Sequence, residues 1–157
     1  MIIPEDVMVS LEGGLSMLVA GLDGQGRPIC TRGVGLRIWP DRAHATVFLA
    51  SATAAPLSDH LLTNRQLAFV VSRPNDYRTV QMKGTVMAVR EADAADFDFV
   101  SNFVRAFADL VDSLGVPRQT ALRVTHWPCL AVDVALAEIF LQTPGPGAGT
   151  RLGGDTS

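Results

Sequence analysis

Lysine and cysteine are nearly absent from this sequence of 157 residues. Lys83 is the only lysine, so 12 of the 13 basic residues are arginine. Cys30 and Cys129 are the two cysteines, and they lie too far apart in the sequence to form a C-x-x-C pair. This spacing argues against a disulfide scaffold and against a cysteine-based zinc site. The sequence leaves open whether these two residues form a single bridge.

Long apolar segments are lacking as well. The longest apolar runs, at residues 15–21 and 129–137, are shorter than the roughly 20 residues of a membrane helix. Asp133 interrupts the second run. The first ten residues carry acidic side chains and no basic ones, which is not the pattern of a signal peptide. We therefore expect a cytoplasmic protein that does not contact a membrane.

The chain has no overall excess of positive charge. Its formal net charge is −3 and its pI is about 5.5, which argues against a nucleic-acid-binding protein. Residues 91–112 hold six acidic side chains and Arg105, which predicts a solvated helix face. Residues 27–83 hold eight basic against three acidic side chains, a local excess that suits a small anionic ligand. The alternative for any single arginine is an ordinary surface position.

The composition and the apolar pattern predict one mainly β (α+β) domain. With 48% hydrophobic and 18% charged residues, the chain is too apolar to be disordered and long enough to bury a core. Short turns between the strands indicate an antiparallel sheet closed into a small barrel. The predicted strands are residues 15–22, 28–39, 45–50, 67–72, 78–90 and 130–141. The predicted helices are residues 4–12, 56–64 and 92–114, with a further helical turn at 118–124.

Some predicted elements carry details that a structure can check. The long helix has an apolar stripe that we expect to face the core, formed by Phe99, Phe103, Phe107, Leu110 and Leu114. In the fifth strand, alternation places Val80, Met82, Val86 and Ala88 on one face. Asn64 is expected to end its helix in a left-handed conformation. The domain is expected to span residues 1–142, and the Pro/Gly-rich tail 143–157 to form no regular element.

Sequence motifs of known catalytic chemistry are missing. The chain has no G-x-G-x-x-G after a strand, no P-loop, and no G-x-S-x-G, H-E-x-x-H or EF-hand loop. His44, His60 and His126 are isolated from one another, and a structural or surface role is the better explanation for each. We therefore expect no metal site. The residues alone lead to a small closed barrel with one positively biased half.

Four passages of the chain, taken in order, resemble a known family. They are V-A-G-L-D-G-Q-G-R-P at 19–28, R-G-V-G-L-R at 32–37, H-L-L-T-N at 60–64 and T-V-Q-M-K-G at 79–84. Together they look like the strands of the pyridoxamine 5′-phosphate oxidase-like superfamily of FMN-binding split barrels. The resemblance covers about residues 11–142. It implies a six-stranded antiparallel split β-barrel with flanking helices.

The resemblance also implies a function. It implies a homodimer with FMN in clefts at the subunit interface, acting as an FMN-dependent oxidoreductase on an unknown small substrate. Two arginines of the second strand would hold the phosphate, a glutamine of the fifth strand would bind the polar edge of the flavin ring, and the end of the third strand would supply backbone groups. The implied cofactor-binding residues are Arg32, Gly33, Val34, Arg37, Leu49, Ala50, Ser51, Gln81 and Lys83. Because the flavin carries out the redox chemistry, we name no catalytic side chain.

The two arginines of the second strand pose a geometric problem. Arg32 and Arg37 are five residues apart, so a flat strand would put them on opposite faces. Gly33 and Gly35 would permit a bulge that brings both to one face. The alternative is two solvated arginines at the ends of the strand.

The chain departs from the family in two places. Residues 51–58 contain no basic residue, where the family carries a cation for the phosphate; backbone amides at the start of the next helix could donate instead. The tail offers Arg151 without a nearby histidine, unlike the true oxidases, so we expect a relative of the vitamin B6 enzyme rather than that enzyme. Two alternatives follow. One is a deazaflavin or haem cofactor, with His60 or His126 as a haem ligand, and the other is a non-enzymatic protein that has lost tight FMN binding.

Overall fold

The structure, a computed structural model, describes residues 1–153. Its strands form a single antiparallel sheet in which each strand pairs with its neighbours. The strands are β1 (Ser16–Leu22), β2 (Pro28–Ile38), β3 (His44–Ala50), β4 (Gln66–Ser72), β5 (Thr79–Glu91), β6 (Cys129–Leu141) and β7 (Arg151–Leu152). The helices are α1 (Glu5–Ser10), α2 (Ser51–Ala54), α3 (Leu61–Asn64), α4 (Ala94–Ser113) and α5 (Arg118–Ala121), with a 3₁₀ turn at Ser58–His60. Within residues 1–153, no helix is both long and apolar enough to cross a membrane.

The first six strands close into a barrel. Their order in the sheet is β3-β2-β1-β4-β5-β6, and β3 also pairs with β6, which joins the two edges. All of these pairings are antiparallel. The predicted six-stranded antiparallel split barrel with a long helix is therefore confirmed.

Alternating side chains of the strands fill the barrel. Apolar residues that point inward are almost completely buried, and each is worth roughly 1.5–3 kcal/mol relative to an exposed position. The largest of them include Val19, Val47, Leu49, Phe69, Met82 and Ile139. A second apolar cluster lies outside the barrel wall, between the sheet and α4, and contains Val34, Phe48, Val100, Val104 and Cys129. Cys30 is exposed and Cys129 is buried, and both are free thiols.

Two irregularities interrupt the pairing of β5 with β6. The pairing of β5 with β6 shifts register at Lys83/Gly84 and again at Val86/Ala88. Glycine is needed at position 84 because a Cβ there would collide with the carbonyl oxygen of Ala135. The second shift reverses the alternation, so Ala88 is exposed and does not share the buried face of Met82 as predicted.

Helix α4 begins and ends close to the predicted limits. Asp93 and Asp96 form a capping box, in which the Asp93 carboxylate accepts from the amides of Ala95 and Asp96. The helix ends before Gly115, which has φ of +90°. The predicted limits of 92–114 were within two residues of the observed ones.

The buried face of α4 differs from the predicted stripe. The buried apolar residues of α4 are small or β-branched. Val100 and Val104 pack against the sheet, and Ala108 and Val111 pack with Ala121 of α5. The phenyl rings of the predicted stripe are half-buried along its sides, and Leu114 is 49% exposed. Small side chains let the helix backbone approach the sheet, and the rings then cover its flanks. Asp96 is only 3% exposed, so the acidic segment is not entirely a solvated face.

Two other predictions were wrong in detail. The helix predicted at 56–64 is divided into the 3₁₀ turn and α3, and the left-handed residue after it is Arg65, with φ of 53°, not Asn64. The tail does form a regular element, because Arg151 and Leu152 pair with the edge of β6 beyond the part that pairs with β3. The remainder of the tail prediction, for residues 154–157, lies outside the described residues.

Candidate functional site

A bulge in β2 brings its two arginines to the same face. The pairing of β2 with β3 shifts register between Gly33 and Gly35, which confirms the expected role of these glycines. The guanidinium of Arg32 lies 5.6 Å from the ring centroid of Phe107, and that of Arg37 lies 4.3 Å from the ring centroid of Phe99. Both rings belong to α4, so both arginines point to the side of the sheet on which α4 lies.

The middle of β2 and the end of β3 bring six of the nine expected cofactor residues together. Gly33 pairs directly with Leu49, so the segments 32–34 and 49–51 lie side by side. Val34 and Ala50 are buried beneath α4, and Arg32 and Ser51 are exposed at the rim. We call this group the β2–β3 rim, made of Arg32, Gly33, Val34, Leu49, Ala50 and Ser51.

Arg32 is the cation of the β2–β3 rim. Within residues 1–153, no carboxylate lies within 4.0 Å of its guanidinium, whereas eight other arginines form ion pairs. Its observed side-chain interaction is the one with the Phe107 ring. An exposed arginine without a carboxylate partner can donate its planar fork to an anion such as a phosphate.

Arg37, by contrast, is held by a carboxylate. Its Nη1 donates to Oδ1 of Asp96 at 2.9 Å, and Nη1 of Arg90 donates to Oδ2 of the same residue at 2.7 Å. Burial raises the pKa of Asp96, but the hydrogen bonds from Arg90 and Arg37 and from the Asp93 amide outweigh it, and the pKa lies below its ordinary value. The carboxylate therefore stays ionised and keeps both arginines occupied.

Position also separates Arg37 from the β2–β3 rim. It pairs with Thr46, four residues along β2 from the Gly33–Leu49 pair, which is about 13 Å in an extended strand. The Arg37 guanidinium packs against Phe48 as well, at 5.3 Å from the ring centroid. The geometry is that of a side chain that fastens α4 to the barrel.

Asp96 is the important residue that sequence reasoning missed. A count of charges treats it as one of six acids on a solvated helix. The signal that could have found it is the capping box, because Asp93 and Asp96 have the spacing of a helix start. A carboxylate at that spacing turns back toward the helix N-terminus and lies close to the sheet.

Gln81 and Lys83 lie elsewhere on the outer surface. The register places Arg32, Leu18, Val70, Gln81 and Phe140 side by side on neighbouring strands. Arg32 and Gln81 are therefore three strand spacings apart, about 14 Å. Oε1 of Gln81 accepts a hydrogen bond of 3.2 Å from Nε2 of Gln142. In one chain, an apolar surface that includes Leu18 and Val70 therefore separates the β2–β3 rim from Gln81 and Lys83.

Within residues 1–153, no helix covers that apolar surface. Leu18 is 48% exposed although its neighbours Met17 and Val19 are buried, so its side chain points outward. Beside it runs a groove of about 540 Å³, which we call the outer groove; its lining includes Ala20, Leu22, Ala68, Lys83 and Glu138. The bare surface and the outer groove lie on β1, β4, β5 and β6.

The described residues offer no metal centre. Among residues 1–153, no group of three or more His, Cys, Asp or Glu side chains could hold a metal ion. His44 pairs with Asp41, and a ring nitrogen of His126 lies 3.1 Å from the carbonyl oxygen of Val124. The ring of His60 packs beside Gly24 in the β1–β2 turn.

Comparison with known proteins places the fold. No protein-family model and no curated protein matches this sequence. The solved structure of HupZ from Group A Streptococcus has 14% sequence identity and a TM-score of 0.55, and the match covers 96% of this chain and 99% of HupZ. A candidate pyridoxamine 5′-phosphate oxidase from Lactobacillus delbrueckii has 13% identity and a TM-score of 0.54, covering 88% and 93% of the two chains. HutZ, a haem storage protein from Vibrio cholerae, has 12% identity and a TM-score of 0.51, covering 90% and 95%.

The chain therefore has the split-barrel fold of the pyridoxamine 5′-phosphate oxidase-like proteins, as its four sequence passages imply. At these identities the likeness establishes the fold. The chemistry has to be argued from the residues of this chain.

Proposed function

We propose that this protein is a flavin-dependent oxidoreductase that binds FMN in clefts between two copies of the chain and acts on a small substrate. The observation that carries the proposal is Arg32, an exposed cation at the β2–β3 rim that has no carboxylate partner within residues 1–153. It stands at one end of a bare apolar surface whose other end carries Gln81. A flavin phosphate needs a cation of this kind, and a flavin ring needs an apolar surface with a few polar groups.

A second copy of the chain would complete the cleft. Arg32 and Gln81 of one chain are about 14 Å apart, with Leu18 and Val70 between them. In a two-fold symmetric dimer, residue i of one chain meets residue j of its partner and the reverse holds as well. Packing two bare surfaces together would bring Arg32 of each chain toward Gln81 and Lys83 of the other. It would also bury Leu18, which is exposed in a single chain.

The residues fit FMN with a minimal phosphate site. Arg32 supplies the cation, and the exposed hydroxyl of Ser51 supplies a donor next to it. Arg37 cannot help while it is bound to Asp96, and residues 51–58 add no base. The site therefore has one fixed cation, which favours modest affinity.

The remaining expected residues would orient the flavin ring. Gln81 has both a donor and an acceptor, and the hydrogen bond from Gln142 sets which side of its amide faces outward. Lys83 lies two residues further along the same face and adds a positive charge there. When bound, the flavin supplies the redox chemistry, and the protein supplies position and electrostatics.

Titration with FMN, followed by quenching of flavin fluorescence, tests the proposal. We expect saturable binding by the wild-type protein. Arg32→Ala should weaken it by about tenfold or more, the effect of losing a charge-assisted hydrogen bond. Arg105→Ala is the matched control, because Arg105 is exposed on α4 and its side chain bonds only Asn102 among the described residues. The absence of saturable binding, or equal loss in both variants, would refute the proposal.

A second candidate function has its own support. Arg37 is held by Asp96, and residues 51–58 contain no basic residue. Both observations favour a protein that binds haem or a deazaflavin in place of FMN, or a non-enzymatic protein that has lost tight FMN binding. HutZ, a protein of the same fold, is a haem storage protein. Titration with haemin and with a deazaflavin separates these cases. A Soret band that is lost in His60→Ala or His126→Ala would establish the haem function in place of the flavin function.

A further inference from the structure

We infer that the outer groove binds a planar organic anion. Lys83 would meet the negative group of this molecule. The inference deepens the proposed function by naming the class of substrate, and it rests on that function only for the role of the bound molecule as a substrate.

The shape of the outer groove comes from small side chains. Ala20, Ala68, Lys83 and Glu138 lie side by side across β1, β4, β5 and β6. The two alanines form a low apolar floor, and Leu22 contributes to the lining beside them. The volume of about 540 Å³ falls within the range of small-molecule sites, roughly 300–1,000 Å³. A flat floor of this kind suits a planar molecule.

The two charged side chains of the outer groove are available to a ligand. Lys83 Nζ and Glu138 Oε2 are 4.0 Å apart, which is too long for a hydrogen bond. Within residues 1–153, neither side chain makes a hydrogen bond, and they are 45% and 36% exposed. Weakly paired polar groups in a groove that is otherwise largely apolar are the usual means of orienting a small ligand.

The balance of charge favours an anion. Nη2 of Arg151, on β7, lies 3.7 Å from the other carboxylate oxygen of Glu138. Among the residues that the structure describes, two cations therefore surround one carboxylate, which leaves a local charge of +1. Lys83 is also held in place, because its Nζ lies 4.7 Å from the ring centroid of Phe140.

The outer groove adjoins the proposed flavin-ring position. Lys83 is two residues from Gln81 on the same face of β5, about 7 Å away. Phe140 is paired with Gln81 and also lies beneath the Lys83 ammonium, so it links the two residues. A molecule in the outer groove would thus lie beside a flavin ring held by Gln81.

The single lysine allows a direct measurement. Reductive methylation with ¹³C-formaldehyde labels Lys83 and the N-terminal amine, and it keeps their charge. We expect the Lys83 dimethylamino resonance to shift saturably with 2-naphthoate and to change little with the neutral 2-naphthamide. Equal shifts of the Lys83 resonance with both compounds would overturn the inference.

Charge variants give effects of opposite sign. By equilibrium dialysis, Lys83→Gln should weaken 2-naphthoate binding by about tenfold. Glu138→Gln should strengthen it several-fold, because it removes the negative charge beside Lys83. Glu91→Gln, at the far end of β5, is the matched control and should change nothing. Weaker binding in Glu138→Gln would contradict the inference.

These measurements need no flavin, so the two proposals can fail separately. If 2-naphthoate binds as described and FMN does not, the proposed function fails and the outer groove remains a small-anion site. If FMN binds and 2-naphthoate does not, the inference about the outer groove fails alone.

Discussion

The two halves of the barrel surface differ in what covers them. On one half, α4 lies over β2 and β3 and the start of β6, and it buries Val34, Phe48 and Cys129. On the other half, no helix of the described residues lies over the outer faces of β1, β4 and β5, and Leu18 and Lys83 are exposed. We call these the covered half and the bare half.

The comparison shows that two similar arginines have different roles. Arg37 belongs to the covered half, where Asp96 and the Phe99 ring hold its guanidinium. Arg32 lies at the boundary with the bare half and has no carboxylate partner within residues 1–153. A pair of basic positions in a sequence motif therefore need not form one site. Burial and partners decide which of the two can bind a ligand.

The largest expected difference between the halves is the reactivity of their thiols. Burial, and then the negative charge of Asp96, raise the pKa of Cys129 from 9.0 to about 11, which lowers its thiolate fraction about 100-fold. Cys30 is exposed on β2, beside Ala20 of β1 at the edge of the bare half. With a chromogenic disulfide reagent, Cys129 should react at least about 100-fold more slowly than Cys30. Cys30→Ser should remove the fast phase; two equal rates would show that α4 does not protect the covered half.

The next largest effect is expected from the carboxylate that fastens α4. Asp96→Asn leaves Arg37 and Arg90 without their charged partner, so we expect a loss of about 3 kcal/mol in the free energy of unfolding. Denaturation by urea measures it. Asp98→Asn, an exposed acid two residues along the same helix, should change the stability by less than about 0.5 kcal/mol. Similar effects of the two substitutions would contradict the account of Asp96.

A smaller effect on stability is expected to distinguish Arg37 from Arg32. Arg37→Ala removes one of two partners of Asp96 and the packing on Phe99, and should cost about 1.5 kcal/mol of stability. Arg32→Ala should cost less than about 0.5 kcal/mol, because Arg32 is exposed and has no ion pair within residues 1–153. Thermal unfolding of both variants checks this order. A larger loss of stability in Arg32→Ala than in Arg37→Ala would contradict the roles given to the two arginines.

Some of the structural details behind these expectations can be predicted from the sequence, and others cannot. The six strands along the chain, the β2 bulge at Gly33 and Gly35, and the approximate limits of α4 follow from local patterns of apolar residues and glycines. The partner of Arg37 does not, because a charge count does not show which acid of a helix points inward. Strand β7 was missed because its two residues are ordered by the free edge of β6, which exists only in the folded barrel.

The smallest expected effect is on the pH dependence of stability. Hydrogen bonds from Arg90 and Arg37 lower the pKa of Asp96 in the folded protein despite its burial. A lowered folded pKa contributes stability above the unfolded value of 3.8, and the contribution is lost as the pH falls through the folded value. Asp96→Asn should therefore flatten the decline in stability below about pH 4. Asp98→Asn should leave the decline unchanged, and an equally steep decline in Asp96→Asn would contradict the assignment.

Sedimentation velocity with FMN, recorded at both 280 nm and about 450 nm, the flavin band, tests the central claim most directly. The account predicts that the flavin absorbance sediments with a particle of twice the 16.7 kDa chain mass. Leu18→Glu places a charge on the bare half and should shift both signals to single chains and free flavin. Flavin that stays at the free small-molecule position with the wild-type protein, or that sediments with a single chain, would contradict the account.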